Sequence, residues 1–259
     1  LIKSINNCHQ SSSPLVISGA GPTGVELACK LSDLVNNQVE IYLVDKGNEI
    51  LSKARSFNRE KAIEAIANRN IKIYLDHYIE SINDSYLQLS SVENKDETMN
   101  INYSGLVWTA GLKPSSSKLL DQFLDEENNK IIVNEYLQIN DFENIFFVGD
   151  ITLNEKAPFP SSAQAANQQG FLVAQNINSL RKGQKLKPFE FEDLGEMLSL
   201  GIGNASITGY GLTLSGALAF EIRRLAYLIR MPGVFLSFKS TGSWLFSKKI
   251  MNRLFSQYP

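Results

Sequence analysis

The stretch LVISGAGPTGVELA, residues 15–28, decides the fold class of this 259-residue chain. Its apolar opening predicts a short strand, the glycines predict a tight turn, and the apolar periodicity after them predicts a helix from about Thr23 to Leu34. A second apolar stretch, VEIYLVD at residues 39–45, predicts the next strand. Strand, helix and strand in this order form a βαβ unit, in which a right-handed crossover joins two parallel strands. We therefore expect an α/β protein.

The glycines of this turn follow the spacing GxGxxG between a predicted strand and a predicted helix. Gly19 is expected to permit the tight turn, Gly21 to let the backbone approach a pyrophosphate, and Gly24 to let the helix pack closely on the sheet. The helix amino terminus near Thr23 offers N–H groups and about half a positive charge to phosphates. The sequence predicts a Rossmann-type dinucleotide site, and a purely structural glycine turn is the alternative.

Two acidic residues near this turn are candidate site residues. Asp45 ends the second predicted strand 21 residues after Gly24, where its carboxylate can accept hydrogen bonds from ribose hydroxyls. This acid favours NADH over NADPH, although Lys46 beside it leaves the choice open. Glu26 lies two positions into the predicted helix, close to where a nicotinamide could bind. Its structural alternative is an acid of the first helical turn that stabilises the helix dipole.

The segments after this unit complete a first domain over residues 14–112. A helix at 58–68 and the strand IKIYL at 71–75 extend the parallel pattern. Between Tyr78 and Tyr103 the hydrophobic period falls to two, which predicts an antiparallel meander. LVWTAG at 106–111 then predicts a buried strand that returns to the sheet, with Gly111 as a candidate cofactor contact.

The second half of the chain contains another strand end with polar residues. ENIFFVGD at 143–150 predicts a fully apolar buried strand that ends in Gly149 and Asp150, at the edge where open α/β sheets bind ligands. A turn aspartate that caps a helix is the alternative. The preceding IIVNEYLQI at 131–139 predicts a strand or a hairpin.

A helix predicted from Ser162 to about Asn178 opens with small residues and glutamines. Gln164 and Gln168 are four residues apart and therefore share one helix face, where alanines leave room for a flat group. Their amides can hydrogen-bond a flavin or quinone carbonyl without a change of charge. A solvent-facing polar helix fits the pattern equally well.

Composition excludes several other chemistries. Two cysteines, Cys8 and Cys29, form no CxxC motif, and the only histidines are His9 and His77. The sequence therefore lacks the residues for a redox dithiol, a zinc site or a Ser-His-Asp triad, and we expect no metal. No uncharged apolar run reaches the roughly 18 residues of a transmembrane helix.

The C-terminal segment has a charge opposite to that of the rest of the chain. Residues 219–259 carry seven basic residues and one acid, a net charge of +6, against −8 for the remainder. This asymmetry suggests an anionic membrane surface or, less favoured for want of a binding motif, a nucleic acid. A helix predicted over Gly216–Arg230 places four apolar residues in one arc, which suits either a membrane interface or packing on its own domain: Leu218, Ile222, Leu225 and Ile229.

Taken in order, GAGPTGVELA, LVWTAG, FFVGD, SSAQAANQQG and the tail LTLSGALAFEIRRLAYLIRMP resemble the type II NAD(P)H:quinone dehydrogenases. The tail is most similar to their cyanobacterial and plastid branch of demethylphylloquinone reductases. The resemblance implies FAD, held on its ribityl-phosphate side by Gly149 and Asp150. It also implies that residues from Ala163 to Gly170 line the flavin and quinone pocket, that Glu26 lies between nicotinamide, flavin and quinone, and that Lys239 lies by the quinone.

The same resemblance implies a domain organisation. Residues 1–13 are expected to be the tail of an FAD-binding segment, 113–190 the C-terminal part of an FAD-binding α/β domain, and 191–259 a membrane-association region. Family members begin with a further GxGxxG unit that binds FAD and that this sequence does not contain. We therefore expect the isolated chain to hold FAD poorly, and a homodimer or a chain that supplies the FAD-binding half are expected partners.

These observations support an FAD-dependent oxidoreductase that passes electrons from NADH or NADPH to a quinone. It is expected at a membrane surface, on the cytoplasmic or stromal face of a plasma or thylakoid membrane. A soluble pyridine-nucleotide flavin reductase with another acceptor is the first alternative. A noncatalytic NAD-binding redox sensor is the second.

Overall fold

A computed structural model describes residues 13–94, 96–111, 122–125, 127, 129–139, 142–229, 231, 233, 236 and 239–242. The chain divides into two compact units, of which Leu112–Leu194 form one and the residues on either side form the other. The helices and strands, in chain order, are β1 Leu15–Ser18, α1 Pro22–Leu34, β2 Ile41–Val44, α2 Ser56–Ala67, β3 Ile71–Tyr74, β4 His77–Ile82, β5 Tyr86–Ser91, β6 Thr98–Asn102, β7 Gly105–Trp108, β8 Ile131–Ile132, β9 Gln138–Ile139, β10 Phe142–Phe146, β11 Thr152–Leu153, α3 Ala163–Arg181, β12 Glu196–Ser199, β13 Ala205–Gly209, β14 Leu212–Gly216 and α4 Ala217–Ile229.

The larger unit is built on a parallel sheet of strand order β3-β2-β1-β7. Successive side chains of β1 point to opposite faces of this sheet. Leu15 and Ile17 pack with apolar residues of α1 and α2, whereas Val16 packs with Leu87 and Leu89 of the meander β4-β5-β6. The predicted α/β class, with a Rossmann-type βαβ unit and an antiparallel meander, is confirmed.

Two local expectations for this unit need correction. The helix begins one residue earlier than predicted, because Pro22 occupies its first turn, where the fixed φ of proline suits a helix and its missing N–H costs nothing. The predicted buried strand LVWTAG is an edge strand, β7, and Trp108 at its end is 57% exposed. An apolar run alone does not distinguish an edge strand from a central one.

The C-terminal segment belongs to the same unit as the glycine turn. Strands β12, β13 and β14 form an antiparallel sheet, and Leu198 and Leu200 enter the core that contains α1. Asp33 of α1 accepts the Ile202 N–H at 2.6 Å and pairs with Arg69, whose Nη2 donates to the Leu200 carbonyl at 3.0 Å. Buried apolar contacts and a charged hydrogen-bond network therefore hold this sheet against α1.

The smaller unit has short strands around an apolar cluster. β8 pairs in parallel with β11, β9 pairs with β10 in the antiparallel sense, and α3 follows. Ile131, Val133 and Leu137 form the cluster with surrounding aromatic residues. The expectation of a fully buried strand at ENIFFVGD is wrong, because β10 pairs only with β9 among the described residues and Val148 is 38% exposed.

Candidate functional site

The glycine turn between β1 and α1 is fixed by backbone hydrogen bonds to its neighbours. Gly19 has a φ of +106°, which an L residue rarely adopts, and its N–H donates to the Val44 carbonyl at 2.7 Å. The Ala20 carbonyl accepts the Leu51 N–H at 2.9 Å. These protein contacts alone hold the turn in one conformation.

The three glycines of the turn differ in what a side chain would meet. A Cβ at Gly24 would collide with the Gly19 carbonyl oxygen, and a Cβ at Gly19 would lie 2.8 Å from the Thr109 hydroxyl. A Cβ at Gly21 would meet nothing within 4 Å, and the Gly21 φ of −74° is open to any residue. Protein contacts therefore explain Gly19 and Gly24, whereas the space above Gly21 fits a ligand that approaches the backbone.

The amino terminus of α1 carries no counter-charge of its own. Gly21 is the N-cap without a side-chain cap, and the first turn contains no acidic residue. Thr23 in this turn is exposed. Uncapped N–H groups and the positive end of the helix dipole are suited to a pyrophosphate. The geometry of the turn fits the dinucleotide that the glycine spacing predicts.

Asp45 contacts the glycine turn from the end of β2. Its Oδ2 accepts the Ala20 N–H at 2.6 Å, and its Oδ1 accepts the Gly47 N–H at 2.7 Å. Each carboxylate oxygen can accept a further hydrogen bond, so contact with a ribose hydroxyl remains available to this half-buried residue. Sequence reasoning had placed Asp45 near the ligand but had missed that it also holds the turn.

Glu26 occupies the fifth position of α1, so its interpretation as a first-turn acid is wrong. Its Oε1 accepts the Ser199 N–H at 2.8 Å and lies 3.3 Å from Nη2 of Arg223 in α4. Glu26 therefore links α1 to the C-terminal segment.

The end of β7 supplies a residue that sequence reasoning missed. The Thr109 hydroxyl donates to the Ser18 carbonyl at 2.7 Å and approaches the Gly19 carbonyl at 3.3 Å. The sequence LVWTAG predicts a strand that returns to the sheet, and Thr109 follows the paired part of that strand. Because the carboxyl ends of neighbouring parallel strands meet at one edge of a sheet, this prediction could have placed Thr109 at the glycine turn. Gly111, the predicted cofactor contact of this segment, is exposed.

In the smaller unit, Gly149 is held by a helix residue that the sequence had not singled out. Its N–H donates to Oε1 of Gln169 at 2.6 Å, and Gln169 is fully buried. Gly149 has a φ of +85°, and a Cβ there would lie 3.7 Å from that of Ala166. Asp150 next to it is exposed. The helical spacing of Ala166 and Gln169 could have indicated that both contact Gly149, since residues three apart share one face of a helix.

Helix α3 begins close to the predicted position, with Ser162 as its N-cap. Gln168 exchanges two hydrogen bonds with the backbone of Glu192, at 2.8 Å and 3.0 Å. It is therefore more than a solvent-facing polar residue. Gln164 is half-buried and Ala163 is exposed. Lys239, in the other unit, is exposed.

Cys29 is a buried thiol of α1. Burial raises its pKa to about 11, so the side chain is protonated at neutral pH. Cys8 lies outside the described residues. A neutral thiol inside a helix core offers no nucleophile for dithiol chemistry.

Residues 2–170 match the family described as pyridine nucleotide-disulphide oxidoreductase. The chain belongs to this family. A demethylphylloquinone reductase of Synechocystis is 32% identical over 89% of this chain and 57% of the relative. A chloroplastic and mitochondrial alternative NAD(P)H-ubiquinone oxidoreductase of Arabidopsis thaliana is 30% identical over 93% of this chain and 50% of the relative.

A third curated relative is also named as an oxidoreductase of a quinone. A type II NADH:quinone oxidoreductase of Staphylococcus aureus is 28% identical over 87% of this chain and 59% of the relative. The chain thus spans about half the length of the curated relatives it matches. The solved structure of NDH2 from Plasmodium falciparum in complex with NADH has a TM-score of 0.82, with 16% identity, over 95% of this chain and 67% of the other. This structure supports the fold of the chain.

Proposed function

We propose that this chain provides the nucleotide-binding site of an FAD-dependent NAD(P)H:quinone oxidoreductase that acts at a membrane surface. The single observation that carries the proposal is the open space above Gly21, beside a helix amino terminus that has no acid in its first turn. The names of the relatives support the reaction, since each is called a reductase or oxidoreductase of a quinone.

In this proposal the larger unit binds the nicotinamide dinucleotide. The pyrophosphate lies over Gly21, and the first N–H groups of α1 donate to it. Asp45 accepts from the adenosine ribose with the lone pairs that Ala20 and Gly47 leave free. A carboxylate at this place disfavours the extra phosphate of NADPH, which supports NADH as the donor.

The smaller unit would hold part of the FAD. Gly149 and Asp150 are the proposed contacts on the ribityl-phosphate side, and Gln169 keeps the Gly149 backbone in place. Bound there, a flavin would supply the redox chemistry that links a hydride donor to a quinone acceptor. Ala163, Gln164 and Gln168 are the proposed residues of the flavin and quinone pocket.

Helix α4 presents an apolar face that suits a lipid surface. Leu218, Ile222, Leu225 and Ile229 are 62%, 42%, 56% and 76% exposed, and Ala219 is the only buried residue of α4. Among the described residues, no helix is long and apolar enough to cross a membrane. We propose that this face lies in the interface of an anionic membrane, where a lipid-soluble quinone can enter.

The arginines of α4 have other partners than the expected head groups. Arg223 pairs with Glu26 and Arg224 pairs with Glu221. In the proposal, apolar insertion by α4 is therefore the main contact, and the net positive charge of residues 219–259 adds attraction to anionic lipids. Lys239 is the proposed basic residue beside the quinone.

The proposal is tested by anaerobic titration with NADH of the protein that contains this chain together with the FAD-binding half, purified with its flavin. NADH should bleach the visible absorbance of the flavin, and a quinone should restore it faster in the presence of vesicles that contain the quinone. Bleaching with no response to any quinone would favour the soluble reductase. NADH binding without bleaching would favour the redox sensor.

A further inference from the structure

The hydroxyl of Thr109 sits where two glycines of the turn leave room for it. A Cβ at Gly19 would lie 2.8 Å from the Thr109 Oγ1, and a Cβ at Gly24 would lie 3.1 Å from the same atom. Both distances are shorter than ordinary carbon-to-oxygen contacts. The two glycines that protein contacts explain are therefore packed partly around this one side chain from β7.

The Gly19–Ala20 peptide is held at both of its ends. Its carbonyl oxygen faces the Thr109 hydroxyl at 3.3 Å, and its N–H donates to Asp45 Oδ2 at 2.6 Å. In a trans peptide the carbonyl and the N–H point in opposite directions. Thr109, which follows β7, and Asp45, which follows β2, thus restrain the rotation of this peptide plane from the ends of the two strands that flank β1.

The two neighbouring peptide planes are also held by hydrogen bonds of their carbonyl groups. The Ser18 carbonyl accepts both the N–H and the hydroxyl of Thr109, at 2.8 Å and 2.7 Å. The Ala20 carbonyl accepts the Leu51 N–H at 2.9 Å, so the Gly21 N–H of the same plane points away from Leu51. A rotation of the Gly19–Ala20 plane would change the direction of the Gly21 N–H.

We infer that Thr109 is a positioning residue for the nucleotide: its hydroxyl orients the glycine turn so that the Gly21 N–H faces the pyrophosphate. The inference rests on the proposed nucleotide site and adds a residue to it. Thr109 itself does not contact the ligand in this account. Its effect on binding comes through the order of the turn, because a preorganised donor loses less entropy on binding than a mobile one.

The test compares NADH affinity in four variants, measured by calorimetry on the purified chain without added flavin, so that no hydride transfer accompanies binding. T109V removes the hydroxyl at constant size, T109A removes it without crowding the turn, and T109S retains it. T208V is the matched control, because the Thr208 hydroxyl also makes one side-chain hydrogen bond, to Asn58 at 3.0 Å, on α2 and away from the turn. Thermal midpoints report the effect of each change on the fold.

We expect T109V and T109A to weaken NADH binding roughly tenfold, which corresponds to about 1.4 kcal/mol. T109S should stay within about threefold of wild type, and T208V should bind NADH as wild type does even where its thermal midpoint falls. Two results would overturn the inference: wild-type affinity in folded T109A, or an equal loss in T109S and T109A. If the wild-type protein binds no NADH, the nucleotide assignment fails and the inference fails with it.

Discussion

The Arg223 guanidinium lies 3.3 Å from the Glu26 carboxylate, measured from Nη2 to Oε1, and joins α4 to α1. Both side chains are mostly covered, at 20% and 29% exposure. The same Glu26 oxygen accepts the Ser199 N–H at 2.8 Å from β12. The Glu26 carboxylate of α1 therefore connects α4, the helix with the exposed apolar face, to the rest of the unit.

Removal of the Glu26 charge should destabilise the unit more than removal of an exposed pair. E26Q keeps an acceptor for Ser199 but leaves Arg223, whose Nε is already buried without a partner, without its counter-ion. We expect E26Q and R223M each to lower the free energy of unfolding by about 1–2 kcal/mol, with non-additive effects in the double variant. Urea unfolding measures all three.

The control for this cycle lies on the same helix. Arg224 and Glu221, at 29% and 61% exposure, form a more exposed pair three residues apart, and R224M should cost about 0.5 kcal/mol or less. Strict additivity of E26Q and R223M would show that the pair contributes no coupling energy, and the proposed link between α1 and α4 would then be withdrawn.

Substitution of Asp45 should change both cofactor selectivity and stability. D45S removes the negative charge near the ribose, and we expect the ratio of kcat/KM for NADPH to that for NADH to rise by roughly tenfold. It also removes the acceptors of the Ala20 and Gly47 N–H groups, so the thermal midpoint should fall. Steady-state kinetics with both nucleotides, alongside thermal unfolding, measure the two effects. An unchanged ratio would assign the selectivity to other residues.

The apolar face of α4 should carry the binding to vesicles. The double variant L225S/I229S removes two exposed apolar side chains and should weaken partition onto anionic vesicles by about tenfold or more. I63S is the matched control, because Ile63 is 50% exposed on α2 and lies on no proposed membrane face. Sedimentation with vesicles at low and high salt measures the effect. Equal loss in I63S and L225S/I229S would contradict the membrane face.

Local sequence signals predicted the elements whose contacts are local. The glycine turn, α1, the meander and the start of α3 each follow from spacing, turn residues or caps within a few positions. The contacts of Glu26 could not be predicted this way, since Ser199 and Arg223 are 173 and 197 residues away in sequence. The exposure of Trp108 and Val148 depends on which segments lie beside them, and an apolar run contains no information on its neighbours.

Burial of Cys29 should make stability depend on alkaline pH. Its pKa rises from 9.0 to about 11 on folding, so the thiol ionises first in the unfolded chain. The contribution of the buried, neutral thiol to the free energy of unfolding is complete below pH 9 and is lost as the pH rises towards 11. We expect the free energy of unfolding to fall more steeply over this range in wild type than in C29A. Parallel slopes in the two proteins would contradict the shift, as would rapid alkylation of Cys29 in the folded protein.

Calorimetry of NADH binding to G21A tests whether Gly21 is a glycine because a nucleotide approaches its backbone. A Cβ there meets no protein atom, so the thermal midpoint should change little, whereas G24A should destabilise the fold because its Cβ collides with the Gly19 carbonyl. We predict that folded G21A binds NADH at least roughly tenfold more weakly than wild type, a loss of about 1.4 kcal/mol. Wild-type affinity in folded G21A would contradict the account.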